Sequence, residues 1–543
     1  MSRKLLFTAV FICFPLLAQL QNFPPLQVTI NDSSATRGYY FFSPYTSAMT
    51  NPYDPSHQIL DQFGRLVFYQ LLPPVNLNPT IDFKLQPDGR ISYFDTHTYT
   101  WIFMDSTFTI VDSLQGAGFQ GDLHDIQILS NGHYLLLAKE SRMMDLSAYH
   151  WFGFTHNQPG SANAQVTGVV IQELDQNKQL IWEWKSFDHF AFADVDERWL
   201  FSPSKVDWTH ANAVEPDKDG NILLSCRHLN EITKIDRTTG NIIWRLGGKQ
   251  NQFTFTNDPV RFTGQHDIRR VNDSCITLFD NGQLTTPAVA RALEYSLNET
   301  TRVATLVWEY IEDSSMYSAA MGNQQINEFG NHIIDYGSWP QENPFMTVVK
   351  PDKSKIIEFT MPVKVFSYRS FNYPTLPWQL KRPQVECQKT GNDYYLVAEP
   401  GHASYRWSTG ETTASVKITA PGEYYVWVPY GVGYLCSERI MVTDLSHPCI
   451  VAGVSSPVEG ILLDFRPNPA EDHLNIRFVL QEKEHVTLTL QNNFGITVMK
   501  PADKQYPAGN NELTIDVSSL ASGAYLLTMR TDTGIITKKI IIR

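Results

Sequence analysis

The chain has 543 residues, 42% of them hydrophobic and 12% aromatic, and a formal charge of -13. That length exceeds one ordinary core and implies roughly two to four domains, while the apolar content excludes an intrinsically disordered chain. The acidic residues are spread out and no basic run occurs, which argues against nucleic acid or an anionic membrane as partner.

The first segment, MSRKLLFTAVFICFPLLA at 1–18, sets Arg3 and Lys4 ahead of an apolar run that ends in small Ala18. This is the form of a secretory signal peptide, too short and wrongly flanked for a membrane span. Cys13 lies inside the run without the small residues that a lipoprotein signal needs, so cleavage near Ala18 and no lipid anchor are expected. Five cysteines then remain in an exported chain. Cys387 and Cys436 fall in one small region and could pair, with Cys449 as rival partner. Cys226 and Cys275 sit in apolar strand contexts as inert thiols, and the odd count leaves at least one free.

From about residue 25 a repeat sets in. Polar turns in LQPDGRISYF, LSNGHYLLLA, PDKDGNILLS and, more loosely, VNDSCITLF and INEFGNHIID each open a short apolar strand. LIWEW (180–184), IIWRL (242–246) and LVWEY (306–310) close such units. Strand, Gly hairpin, strand and closing Trp strand, recurring about every 40 to 55 residues, is the signature of propeller blades. With RGYYFF and GRLVFYQ as the first unit, an all-β, six-bladed propeller is expected over about residues 25–382. Trp182, Trp244 and Trp308 read as closing-strand core, and LGGK (246–249) reads as a turn because no helix pattern follows it.

The histidines fall on this repeat at matched places. His124 stands eight residues before Gly132, His210 ten before Gly220, and His266 eight before Ser274, where the third turn falls. The equivalent positions in two other blades hold Ile81 and Gly322, so the repeat itself does not demand a histidine. A similar count beyond each turn gives Lys139, Arg227 and Asn281 as cross-strand neighbours. Equivalent positions of neighbouring blades converge on the channel, where three imidazoles, a guanidinium and Asn212 would form an anion site. Asp125 and Asp267, each following a histidine, read as strand-end polar groups. Two further readings stay open on these residues: a ligand-binding propeller without turnover, and an enzyme whose histidines and aspartates hold a divalent metal.

HDIQILSNGHYLLL, THANAVEPDKDGNILLSCRHLNEITKIDRTTGNIIWRLGGKQNQF and GQHDIRRVNDSCITLFDNG together resemble the arylsulfate sulfotransferase family of bacterial β-propeller enzymes over about residues 120–340. The resemblance implies transfer of a sulfuryl group from a phenolic sulfate donor to a phenol acceptor without a nucleotide donor, and the chemistry of these residues calls for no metal or other cofactor. The resemblance also implies that His266 in GQHD is the nucleophile; Asp267 and the arginines are expected to serve its placement. His210, Asn212 and Arg227 would hold the sulfuryl oxygens, and His124 would be a further channel histidine. A neutral imidazole attacking sulfur yields a sulfo-histidine, a fixed cation suits the sulfuryl oxygens, and a second histidine can move the phenolic proton.

Residues 383–446 alternate apolar and polar over short strands with Gly and Pro turns, and YRWSTGETTASV followed by PGEYYV resembles immunoglobulin-like β-sandwich modules, read as a spacer. Residues 447–459 read as a linker. From 460 to 543, PNPA, SSLASGAYLL and the basic end KKIIIR resemble the C-terminal sorting domain of the type IX secretion system. That resemblance implies passage through the periplasm to the surface or medium, with the secretion machinery as partner. No helix pattern for a membrane span follows the leader.

Overall fold

A computed structural model describes residues 22–32, 38–46, 53–73, 80–313, 317–338, 344–442, 445, 462–480, 483–491, 497–531 and 535–543. The expected signal peptide and most of the expected linker lie outside these residues. The structure is all-β, 54% strand and 3% helix.

Six sheets, antiparallel except for the added strands Lys205–Asp207 and Thr254–Thr256, are built from the repeat units. Their first strands are Val365–Tyr373, Thr80–Leu85, Gln120–Ile128, Ala211–Pro216, His266–Arg270 and Asn323–Ile326. The expected turns form as read. In LQPDG the Gln86 N–H donates to the Arg90 carbonyl, and Gly89 takes the left-handed conformation (φ 85°) that an L side chain resists. Strands inside each sheet are apolar on both faces because each sheet packs face to face on its neighbours. Leu136 and Ile126 of the third sheet meet Phe94 and Trp101 of the second, and Leu224 of the fourth joins Leu135 and Trp184 of the third. Ile268 and Leu293 of the fifth sheet pack with Leu223 and Trp244 of the fourth. Phe279 and Ala292 pack with Ile334 of the sixth, and Ile333 with Phe42 and Leu60 of the first. Phe41 and Val67 then meet Phe83 and Ile91 of the second, so the ring of clusters closes. This is a propeller-like arrangement.

Closure uses both ends of the region. Gln27–Asn31 adds to the outer edge of the sixth sheet, beside Lys355–Thr360, while Val365–Tyr373 supplies the innermost strand of the first sheet, beside Tyr39–Thr46.

Two expectations for residues 383–446 need correction. Cys387 is disulfide-bonded, but Cys436 is a free, buried thiol, so these two do not pair. They sit on different sheets: Cys387 on Val385–Thr390, and Cys436 on Gly433–Cys436. The other half of the Cys387 bond is not among the described residues. Nor is the module a free spacer. Gly433–Cys436 pairs with Leu66–Leu71, so the first sheet runs on through Val426–Tyr430 and Arg406–Trp407 as one seven-stranded sheet. Tyr434 stacks on Tyr69 at 5.1 Å, with Phe23 and Trp427 edge-on to Tyr69, and the Val432 N–H donates to the Phe108 carbonyl at 2.9 Å.

The tail folds separately as two sheets of three and four strands. Strict alternation of buried and open positions in His473–Leu480 and Glu484–Gln491 turns one face of each sheet onto a shared core of Leu474, Ile476, Leu488 and Leu527.

Candidate active site

The first strands do not run straight. Register breaks by a β-bulge at Ile81/Lys84, Ala211/Ala213, His266/Arg269 and, on the partner of the innermost strand of the first sheet, Phe42/Pro44; the third sheet breaks at Leu136/Ala138. A strand alternates its side chains, so a histidine and the aspartate after it should face opposite ways; a bulge cancels that alternation locally. Asp82 and Asp267, at φ 59° and 60°, carry the kink. His266 and Asp267 are therefore both buried at the axis, as are His124 and Asp125.

The upper layer is the histidine cluster. The His124 and His210 rings meet edge to face at 5.0 Å, and His210 stacks on His228 at 4.5 Å. His266 Nδ1 bonds Asn281 Oδ1 at 2.7 Å, and its Nε2 accepts the Met321 N–H at 3.2 Å. Arg227 Nη1 lies 3.1 Å from His228 Nε2, its Nη2 donates to Gln283 Oε1 (2.7 Å) and the Ala319 carbonyl (2.9 Å), and its guanidinium lies 4.1 Å over the Trp199 ring. These bonds leave Arg227 Nε as a buried donor with no partner. Asn212 donates to the Gln265 carbonyl at 2.7 Å, and its Oδ1 is likewise unpartnered. Lys139 pairs with Asp122 at 3.0 Å, and Asp122 also receives His124 Nδ1. All seven residues singled out in the sequence thus fall in or beside one cluster. Asn281 reaches its histidine directly, Arg227 donates its backbone N–H to the His210 carbonyl, and Lys139 reaches His124 only through Asp122.

Burial, joined by the Arg227 charge and the other two histidines, holds His266 well below the ordinary imidazole range, so the ring is neutral at neutral pH. Burial lowers His210 as well, against the opposing pull of Asp207. Arg227 is lowered to about 10 by burial, with Asp207 counteracting, and remains a cation.

Beneath the histidines lies a second layer that sequence reasoning did not find. Arg369, from the first sheet, is fully buried and reaches Asp82 (3.1 Å), Asp125 (3.4 Å), Asp267 (3.2 Å) and the Asn212 carbonyl (2.7 Å), one group from each of four other sheets. Lys84 pairs with Asp82 and Asp125 at 2.6 and 2.7 Å, and Arg269 with Asp125 and Asp267 at 2.9 and 2.8 Å. Asp125 and Asp267 are therefore the carboxylates of a closed ion network, more than strand-end polar groups. Of the two arginines in GQHDIRR, Arg269 turns inward, while Arg270 turns out to Asp217 and Glu299.

Asp122, Asp207, His228, Gln283, Met321 and Trp199 were also missed. Only His228, beside Arg227 in SCRH, and the two aspartates just upstream of His124 and His210 carried a local signal. Asp207, His210 and His228 bring three potential metal-donor atoms within 4.8 Å. The set does not fit a divalent ion: His228 Nδ1 is engaged by the Asp207 carbonyl at 2.6 Å, and its Nε2 faces the Arg227 cation.

A family model described as Arylsulfotransferase (ASST) matches residues 27–369. The chain belongs to the arylsulfotransferase family. The match takes in strands of all six sheets and ends at Arg369, and a second model, the secretion system C-terminal sorting domain, matches residues 465–543. This arylsulfotransferase chain thus carries a type IX sorting tail, which marks it for export to the surface or medium. Among the described residues no helix is long and apolar enough to cross a membrane. No curated protein matches the chain. Solved structures similar to it include a protein of unknown function from Bacteroides caccae (10% identity over 62% of this chain and 98% of that one, TM-score 0.37). A virginiamycin B lyase from Staphylococcus aureus is 11% identical over 69% and 96%, TM-score 0.32. PorZ, a type IX secretion component of Porphyromonas gingivalis, is 9% identical over 93% of each chain, TM-score 0.17. Likeness of this size carries no functional argument.

Proposed function

We propose that this family member is an active, exported arylsulfate sulfotransferase that passes a sulfuryl group from a phenolic sulfate to a phenol through a sulfo-histidine on His266. In the same reading the six sheets are the blades of one propeller at about 25–382, followed by an immunoglobulin-like module at 383–446, a linker at 447–459 and the sorting domain at 460–543, with residues 1–18 as signal peptide.

The observation that carries the mechanism is the state of His266. Its Nδ1–H is directed at Asn281 Oδ1, which leaves the lone pair on Nε2, and burial keeps the ring neutral. Nε2 exchanges the Met321 N–H for sulfur. The N–S bond forms as the S–O bond to the aryl group breaks, and the phenolate departs with the electron pair. Arg227 Nε and the cluster around it receive the sulfuryl charge, where a buried cation counts for more than it would in water. A channel histidine supplies the proton to the phenolate and takes one from the incoming phenol, whose oxygen attacks sulfur and releases His266. The polar, cationic cluster also suits a propeller that binds aryl sulfates without turnover, and the test separates the two.

Enzyme mixed with a phenolic sulfate alone, quenched in alkali and digested, should yield a sulfuryl adduct on His266, and steady-state kinetics should be ping-pong. His266→Ala should yield neither adduct nor transfer. An adduct elsewhere, or sequential kinetics, overturns the assignment; binding without release of phenol supports the non-catalytic reading.

A further inference from the structure

The cluster contains two histidines, His124 and His210, whose Nδ1 atoms each meet a carboxylate, and the two pairs differ. Asp122, behind His124, is buried, and its charge is shared: Lys139 Nζ lies 3.0 Å from Oδ2, and the His124 backbone N–H donates to Oδ1 at 2.8 Å. Asp207, behind His210, places Oδ2 2.5 Å from Nδ1 and has no lysine or arginine in ion-pair contact among the described residues. Asp207 ends the supernumerary strand Lys205–Asp207, which runs parallel to Ala164–Leu174 outside the four-strand repeat. Its carbonyl receives His228 Nδ1 at 2.6 Å, and His228 stacks on the His210 ring, so the carboxylate and the ring it serves are fixed together.

We propose that Asp207 is the positioning residue that makes His210, and not His124, the proton carrier of the transfer, by holding the Nδ1–H of His210 and leaving Nε2 to face the phenolic oxygen.

This rests on the sulfotransferase reading above and adds a division of labour to it. A proton carrier becomes an imidazolium for part of each cycle. When acceptor phenol gives its proton to Nε2, the positive charge that forms on His210 is met at Nδ1 by a carboxylate with no lysine or arginine in ion-pair contact among the described residues, although Lys139 acts on it from farther away. The same charge on His124 would meet a carboxylate already neutralised by Lys139. In the donor half-reaction the proton returns from Nε2 to the departing phenolate oxygen, and Nδ1–H stays on Asp207 throughout. Ionisable groups around His210 include Asp207, His124, Arg227, His228 and His266, with Lys139 acting on Asp207. Asp207 is the carboxylate bonded to His210 and raises it by charge and hydrogen bond, so its removal lowers the His210 pKa.

The test compares Asp207→Asn with Asp122→Asn on two donors, an acidic nitrophenyl sulfate and the sulfate of an unactivated phenol. Asp207→Asn should lower kcat for the unactivated donor by about 10²-fold and for the nitrophenyl donor by far less, because only the poorer leaving group needs the proton. Its acid limb in kcat/KM for the acceptor should move to lower pH. Asp122→Asn should slow both donors by one common factor. Independently of turnover, nitrogen NMR of the histidine rings should show the Nδ1–H tautomer of His210 in wild type and its loss in Asp207→Asn, with Asp207→Glu restoring part of it. An unchanged tautomer overturns the proposal whether or not the protein is active. So does an equal loss on both donors in Asp207→Asn, and steeper leaving-group dependence in Asp122→Asn assigns the carrier to His124. An active wild type without a His266 adduct would instead overturn the mechanism above, and the ring measurement would still decide the role of Asp207.

Discussion

At His57 the cost of burying an ionisable ring can be followed with pH. The ring stacks on Phe83 at 4.4 Å, bonds Ser43 Oγ at 2.6 Å, and has its pKa lowered by burial to about 3. The unfolded chain takes up the proton near pH 6.5 and the folded one only near 3, so the contribution is complete above 6.5 and is lost as pH falls. Between pH 6.5 and 5 the loss from this one group is about 2 kcal/mol. His57→Gln should therefore show a shallower fall in melting temperature over that interval than wild type, measured at matched ionic strength. In the site itself, Arg227→Lys should cost about 10²-fold or more in kcat, since a point charge replaces neither the fork that holds Gln283 and Ala319 nor the free Nε. Single-turnover release of nitrophenol measures it. The histidines, Arg227 and Asn281 were legible because they are polar residues repeated at fixed offsets from recognisable turns. Asp207 and Gln283 were not: each meets its partner through a loop or added strand outside the repeat, and spacing holds no record of such contacts.

At the level of strands and sheets, the bulges decide how much charge can enter the core. Three cations, Lys84, Arg269 and Arg369, face three carboxylates, Asp82, Asp125 and Asp267, while Glu215 beside them is raised to about 7 by burial. Taking Arg369 away would strand carboxylates from three sheets, so Arg369→Met should destabilise the protein by about 3–5 kcal/mol, read from chemical denaturation. Had the network been a local strand-end feature, the loss would be nearer that of a single surface bond. The sequence displayed Asp125 and Asp267 but not their partner, because Arg369 lies in VFSYRSFNY, more than two hundred residues downstream by the 244-residue separation from Asp125. Periodicity located the sheets well, since turn and closing-strand signals are local. Which strand completes the first sheet is a long-range choice and left no such signal.

For the whole molecule, the seven-stranded sheet joins what composition divides at residue 383. A chain ending at 382 should uncover Phe68, Tyr69 and Phe108 and melt several degrees lower than one ending at 459, as read by calorimetry, because the apolar area covered by Tyr430 and Tyr434 is lost. The chain ending at 459 should keep its activity and stay in the periplasm, since the tail has its own core. Its normal appearance outside the cell would refute the export role of residues 465–543. The way the ring is closed also imposes an order in time. The Asn372 side chain donates to the Tyr39 carbonyl across 333 residues, in a strand pair that exists only once nearly the whole ring has been made. A polypeptide emerging from its ribosome or translocon carries Tyr39–Thr46 with a bare edge until Val365–Tyr373 arrives, and a premature stop before that strand would leave the edge open to any neighbouring chain. Synthesis and first passage therefore leave one edge of the first sheet unpaired until the chain has been made as far as Tyr373.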